Sequence, residues 1–495
     1  VSFEQLALPL GGLDPVSEPT RIPRTHRVFV NRNLKMSGID WVGFDMDYTL
    51  AIYNQAEMDR LSVDATVKKL GERGYSEAVL GGVSYRIDFP IRGLLIDKRY
   101  GHILKMDRFK VVQKGFHGLR ELSREEIRAL YQQRKIRPTT ARYHWIDTLY
   151  ALSEATIYTG IVDAYERLRL PLDYNRLFVD IRECIDQAHH DGTILNVVRS
   201  NLPRFVERDP LLAQTLHKLR SAGKRLFLLT NSRWDYTERM MAYLLGDAMP
   251  EYPSFRHYFD VIIVAAQKPG FFQERRPLLC RDGDELRPAS LPLERGNIYE
   301  GGNLHELETS LGVTGDRILY VGDHIYGDIL RSKKESAWRT AMIIQEMEAE
   351  VMAHERCQAL HAKGHELEER RDELEDKLRY CQQRYKDLVR KLEEANGGNG
   401  ASSYEADRVR TKRAVERIRG QLRAVDAEAT GIEREIAYRF HPYWGSLLKE
   451  ANETSSFGDQ VEEYACVYTS RVSNFLAYSP LQYFRSPRDL LPHEL

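Results

Sequence analysis

Cysteine is scarce in this chain. Five occur in 495 residues, at Cys184, Cys280, Cys357, Cys381 and Cys466, an odd and widely scattered set with no Cys-x-x-Cys pair. That excludes a disulfide framework and a cysteine-built zinc site, and it favours a reducing compartment. Long apolar runs are missing as well. No stretch approaches the ~20 residues that a bilayer helix needs, and the longest, such as residues 261–266, are of strand length. Net charge is almost nil, with 72 Lys+Arg against 73 Asp+Glu, so nothing draws the molecule as a whole to nucleic acid or membrane. The opening Val1-Ser2-Phe3-Glu4 does not have the basic-then-apolar layout of a secretion signal. The expectation is a cytoplasmic chain of roughly three lobes, long enough for a sizeable core.

Residues 1–35, rich in Pro and Arg, read as an extended arm over a neighbouring surface. They lack the aromatic interleaving that an RNA-binding tail would carry. Trp41-Val42-Gly43-Phe44 then breaks abruptly into Asp45-Met46-Asp47-Tyr48-Thr49, the pattern of a buried parallel strand delivering polar groups at its C-terminal end. Three more apolar runs repeat it: residues 225–229 before Thr230-Asn231-Ser232, residues 261–264 before Lys268, and residues 317–321 before Gly322-Asp323. Helical patterns lie between, over 211–222 and 236–245. Strands alternating with helices predict a doubly wound α/β sheet, which binds ligands beyond the carboxyl ends of its strands. The 185 residues from Asp45 to Thr230 far exceed one crossover and predict an inserted cap.

Further on, Leu360, Leu367, Leu374, Leu378, Cys381, Tyr385, Leu388 and Leu392 keep the spacing of a helical seam. The pattern resumes after Asn396-Gly397-Gly398-Asn399-Gly400 at Val415, Ile418, Leu422, Val425, Ala429, Ile432 and Ile436. Two helices folded back as an antiparallel coiled-coil hairpin fit this, serving as a strut or as a docking arm. The expected division is an arm at 1–35, a core from 36–55 with 205–345, a cap at 56–204, the hairpin at 346–440, and a tail at 441–495 packing back on the core.

An Asp-x-Asp-x-Thr string alone is weak, arising by chance in about one such chain in ten. A calcium loop is ruled out, because the further ligand positions hold Thr49, Leu50 and Gln55-Ala56. The set decides. Asp45 and Asp47, Thr230, Asn231, Lys268, Asp323 and Asp328 arrive in order at successive strand ends. Clustered carboxylates call for a cation, and oxygen-only donors point to Mg²⁺. With a hydroxyl, amides and one lysine they make a cradle for a tetrahedral dianion. A carboxylate nucleophile there gives an aspartyl-phosphate.

This order resembles the haloacid dehalogenase phosphatase superfamily. Residues 43–50, then Arg92-Gly93-Leu94 with Asp97 and Tyr100-Gly101, then 322–330 through Ser332-Lys333-Lys334 to Trp338-Arg339-Thr340, resemble the cytosolic purine 5′-nucleotidase family. So does the closing Pro492-His493-Glu494. The hairpin matches it least. The resemblance implies that Asp45 attacks the phosphorus of a purine nucleoside 5′-monophosphate, IMP or GMP. Asp47 then acts as acid and base, Thr230 and the Asn231 amide hold phosphoryl oxygens, and Lys268 stabilises charge. It implies Mg²⁺ held by Asp45, the Asp47 main-chain carbonyl and Asp323, with Asp328 close by. Arg182, Asp186 and His189, on one helical face at i, i+4 and i+7, would read the base, with Tyr165 stacking on it. A homodimer or homotetramer and a phosphotransferase side activity are also implied. Leu195 and Ala151 depart from the family pattern, whereas Arg142 keeps it. Another phosphomonoester as substrate, or an interaction protein on a phosphatase scaffold, are the alternatives.

Overall fold

The computed structural model describes residues 21–81, 83, 85–132, 136–330, 336–394 and 401–487. The first half of the arm, the hairpin tip at 396–400, the Ser332-Lys333-Lys334 segment and the closing Pro492-His493-Glu494 lie outside them. The centre is a ten-stranded sheet. Seven strands run parallel in the spatial order Val467–Thr469, Arg339–Ile343, Ile318–Gly322, Trp41–Phe44, Arg225–Leu229, Val261–Val264 and Ile298–Gly301. The chain winds outward from Trp41–Phe44 on one side, then returns to Ile318–Gly322 on the other, so the order of winding reverses between these two parallel neighbours. Crevices at such a switch point are where open α/β sheets take their ligands.

The strands are apolar on both faces because both are covered. Val42, Phe44, Leu228, Val264 and Val321 belong to one core, while Trp41, Phe227, Leu229, Ile263 and Tyr320 belong to the other. Gly43 matters in the second. It lies in register between Phe227 and Tyr320, whose rings stack across it with centroids 6.2 Å apart. A Cβ at Gly43 would stand 2.0 Å from the Phe227 ring.

The insertion leaves and re-enters the core side by side: Ile52–Tyr53 pairs antiparallel with Val206–Glu207. Between them lies a five-stranded antiparallel sheet, with Leu94–Asp97 between His102–Met106 and Tyr143–Ile146. Helices Gln55–Glu72, Leu152–Leu168 and Tyr174–His190 pack with it. Asn54 caps the first of these helices by accepting from the Glu57 N–H.

The two ends of the chain do more than lie over the core, and this differs from the expectation. Val467–Thr469 joins the sheet parallel to Arg339–Ile343, and Phe29–Val30 closes that edge antiparallel to it. The tail also grips the cap. Lys105, buried in the cap sheet, donates to the carbonyls of Trp444, Ser446 and Lys449 at 2.7–2.8 Å and pairs with Glu450. These strands are two or three residues long, too short for periodicity to reveal.

Helices Gln358–Glu394 and Ala401–Phe440 form the hairpin. Its seam is Leu367, Leu374, Ile418, Val425 and Ile432, flanked by Leu360, Leu378, Cys381, Leu422, Ala429 and Ile436. Pairs Lys363–Glu428 and Arg384–Asp407 fix the antiparallel register. At 1.5 Å per residue the arm is about 55 Å long.

Replacing Gly43 by Ala forces a methyl into the Phe227 ring. The expected loss of stability is about 1–3 kcal/mol in a urea melt, the usual cost of overpacking. An unchanged midpoint would mean that the ring moves aside freely.

Candidate active site

Register carries the chemistry to one level. Phe44 lies opposite both Leu228 and Val321, so Asp45, Leu229 and Gly322 emerge together at the strand ends. The chain then tightens: the N–H groups of Leu50 and Ala51 both reach the Met46 carbonyl, and Tyr48 takes a left-handed φ of 57°. This turn aims Asp45 and Asp47 into one cavity of about 150 Å³, lined also by Thr148, Tyr150, Asn231, Lys268, Asp323, His324, Gly327 and Asp328.

Lys268 is the hub. Its ammonium lies 3.0 Å from Asp45 Oδ1 and 2.7 Å from Asp328 Oδ1. It also donates to the Tyr320 hydroxyl at 3.0 Å, which in turn donates to the Leu229 carbonyl. Burial opposes the charge on Lys268, but Asp328 and Asp45 outweigh it and hold the ammonium well above the usual lysine range. Gly322 makes room for Asp328, whose carboxyl would stand 2.7 Å from a Cβ there. Asp45 Oδ1 also accepts from the Met46 N–H at 2.7 Å. Asp47 accepts from Tyr53 Oη and Ser232 Oγ, each at 2.6 Å, and Tyr53 meets Tyr236 at 2.8 Å.

Asp45, Asp323 and Asp328, all buried, bring one carboxylate oxygen each to within 4.8 Å of one another. Burial pushes Asp45 up to about 8 against the pull of Lys268. It pushes Asp323 well above the carboxylate range, with Asp328 and Asp45 adding to it. Three buried acids facing one ammonium hold more negative charge than their surroundings compensate. A divalent, oxygen-seeking cation fits that donor set.

The expected residues divide. Asp45, Asp47, Asn231, Lys268, Asp323 and Asp328 converge on the cavity. Thr230 is buried behind it, its hydroxyl oxygen accepting from the Ser232 N–H. The Asn231 side chain binds Lys268 in both directions, taking its N–H at 2.6 Å and donating to its carbonyl at 3.0 Å. Of the cap set, His189 comes nearest. Its ring lies 5.9 Å from that of Tyr150, and burial holds its imidazole below the usual value, hence neutral. Arg182 and Asp186 follow along the same face, with Arg182 bonded to the buried Glu154 at 2.6 Å and 3.6 Å from Asp186.

Tyr165 is corrected. It lies near the C-terminal end of Leu152–Leu168, beside Tyr75 and about 20 Å along the axis from the end that meets the cavity. The aromatic at the cavity is Tyr150, packed edge-on to Tyr48 at 4.8 Å. Sequence reading also missed Tyr53, Ser232, Tyr320 and Glu154. Ser232 had a signal, the third residue of the Thr-Asn-Ser strand end. Tyr320 had one too, two residues before Gly322 on the opposite face from Leu319. Arg142 is committed within the cap, donating through Nε to Asp97 at 2.8 Å.

Fold and site together define a doubly wound α/β protein with an acidic centre at the switch point beneath an inserted cap. Residues 28–495 match the 5′ nucleotidase family, and the chain belongs to it. A 5′-nucleotidase domain-containing protein of Dictyostelium discoideum is 28% identical over 484 residues, covering 96% of this chain and 76% of that one. Human 5′-nucleotidase domain-containing protein 2 is 29% identical over 350 residues, 68% of this chain and 66% of its own. Among solved structures, a predicted phosphoglycolate phosphatase from Haemophilus somnus aligns over 62% of this chain with 15% identity and a TM-score of 0.26.

Removing one of the crowded carboxylates by Asp323→Asn should raise the melting temperature in EDTA, because functional clusters cost stability. Mg²⁺ should then stabilise the wild type and leave the variant almost unmoved. Equal Mg²⁺ shifts in calorimetry would exclude Asp323 as a ligand.

Proposed function

We propose that the protein is a Mg²⁺-dependent 5′-nucleotidase that hydrolyses purine nucleoside 5′-monophosphates through an aspartyl-phosphate on Asp45. One observation carries this reading. A carboxylate fixed on one oxygen (Asp45 Oδ1, by Lys268 and the Met46 N–H) shares a cavity with a second carboxylate held by two hydroxyls.

With Oδ1 pinned, Asp45 Oδ2 is the oxygen that attacks phosphorus. Asp47, raised by burial despite its bonds to Ser232 and Tyr53, is the group that would give a proton to the leaving 5′-oxygen. It then takes one from the water that cleaves the phospho-Asp45 acyl phosphate. Asp45, Asp323 and Asp328, with the Asp47 main-chain carbonyl, would hold Mg²⁺, which screens an anionic nucleophile from an anionic ester. Lys268 stabilises the charge that develops on the transferring group. The Asn231 side chain fixes Lys268, so the phosphoryl contact falls to the Asn231 main-chain amide, with Thr230 shaping the turn beneath.

The cavity, at about 150 Å³, is smaller than the ~300 Å³ or more that encloses a whole drug-sized ligand. It suits the phosphoryl end. The nucleoside would extend past Tyr150, which offers a stacking face. Beyond it lie His189, Asp186 and Arg182, which offer an acceptor, an acceptor and a donor to a 6-oxopurine edge. Glu154 holds the Arg182 guanidinium in place.

The test is phosphate release from a panel of 5′-mononucleotides and from p-nitrophenyl phosphate, with Mg²⁺ and with EDTA. Metal-dependent release favouring IMP and GMP is expected, abolished in Asp45→Asn. Arg182→Met should raise KM for the purine nucleotides about tenfold, the loss of one charged hydrogen bond. It should leave p-nitrophenyl phosphate untouched. Release without base preference would keep the phosphatase and discard the cap reading. No release from any substrate would discard both.

A further inference from the structure

The Arg92-Gly93-Leu94 segment, long and specific in the sequence, has no part in the chemistry above, yet Arg92 is 1% exposed and stands at the junction of three parts of the molecule. It enters from the cap, just before the strand Leu94–Asp97. Its Nη1 donates to the main-chain carbonyl of Asp323 at 3.1 Å. Its Nε and Nη2 form a fork on Glu346, at 2.8 and 2.6 Å. Its guanidinium carbon lies 5.0 Å from the ring centre of Phe457, which comes from the tail.

A lone buried cation this close to a cation site would repel what the site binds. The paired Glu346 offsets that charge, and beside the remaining attraction between Arg92 and Asp323 stands the directional hydrogen bond to the Asp323 carbonyl. That bond holds the backbone at the point where the strand Ile318–Gly322 ends and the turn carrying Asp328 begins. The Asp323 carboxylate therefore has a fixed base. An ammonium would lose this geometry, because the planar guanidinium meets the two Glu346 oxygens as a fork while a further N–H turns to the carbonyl.

We propose that Arg92, fixed by Glu346, is a positioning residue that sets the affinity of the Asp45–Asp323–Asp328 site for a divalent cation through its hydrogen bond to the Asp323 carbonyl. This rests on the reading of those carboxylates as a metal site. Groups that orient metal ligands from behind typically change affinity by about 10–100-fold when lost.

The experiment uses the full chain and Mn²⁺ as probe, read by the loss of free-ion EPR signal, beside a Mg²⁺ titration of phosphate release. Wild type should bind Mn²⁺, and Asp323→Asn should not. Arg92→Lys should weaken Mn²⁺ binding about tenfold and move the Mg²⁺ midpoint by a like factor. At saturating Mg²⁺ its rate should return to within about twofold of wild type, since the reacting groups are intact. Arg92→Met should shift both constants further; should it fail to fold, Arg92→Lys decides alone. A merely structural arginine would lower the melting temperature and leave both constants within about twofold, and that result overturns the proposal. Wild type that binds no Mn²⁺ removes the metal reading and this inference with it. Mn²⁺ binding without hydrolysis of any nucleotide rejects the proposed activity alone, and the Mn²⁺ constants then still decide the role of Arg92.

Discussion

The Lys268 ammonium, buried between Asp45 and Asp328, is the interaction on which the site depends. Opposite charges in a low-dielectric interior attract strongly, but neither partner tolerates burial alone. Each support of that ammonium is therefore a structural requirement. Tyr320 supplies a hydroxyl, and its ring stacks on that of Phe227, which fills the space Gly43 leaves. Asn231 holds the Lys268 backbone from the next strand end. One lysine cannot balance Asp45, Asp323 and Asp328 together. The same compactness that orders Asp45 thus leaves a deficit of positive charge, which an anionic ligand would worsen unless a cation accompanied it.

Cap and core are bound by residues that serve both. Tyr53 belongs to the short strand where the chain leaves the core, and it is also a donor to Asp47. The strand pair at the root of the cap and the hydrogen bonds of Asp47 thus share one residue. Lys105 joins the cap sheet to the tail, and the tail strand Val467–Thr469 lies in the core sheet. The cap is consequently anchored at its root and at its flank, and the cavity between Tyr150 and Asp45 has walls from both parts.

What could be read from the sequence follows from how local each signal is. An apolar run that breaks into polar residues marks a strand end without any tertiary knowledge, so Asp45, Lys268 and Asp323 were visible, and the hairpin seam was visible from an equally local signal, its helical spacing. Tyr150 was not, because the linear sequence offers several aromatics near Leu152–Leu168 and only packing shows which end of that helix meets the core. The Asn231 amide was read as a phosphoryl contact, but the work of its side chain was not visible, because its partner Lys268 lies 37 residues away and only the fold makes it a brace. The strand Val467–Thr469 carries too few residues for a period and is specified by its neighbour Arg339–Ile343 instead.

The hairpin stands apart from this web for a physical reason. Its seam is supplied by its own two helices, and its charged positions pair along or between them, as Lys363 does with Glu428. Such a unit needs little from the body to stay folded. Its root, however, is the helix Met347–Arg356, which starts directly after Glu346, and Glu346 is the partner of Arg92. The arm and the acidic centre are thus separated by one helix and one ion pair. The same stretch of chain also meets that centre through the sheet, because the strand Arg339–Ile343, which ends three residues before Glu346, pairs with Ile318–Gly322 and sets Met342 opposite Gly322.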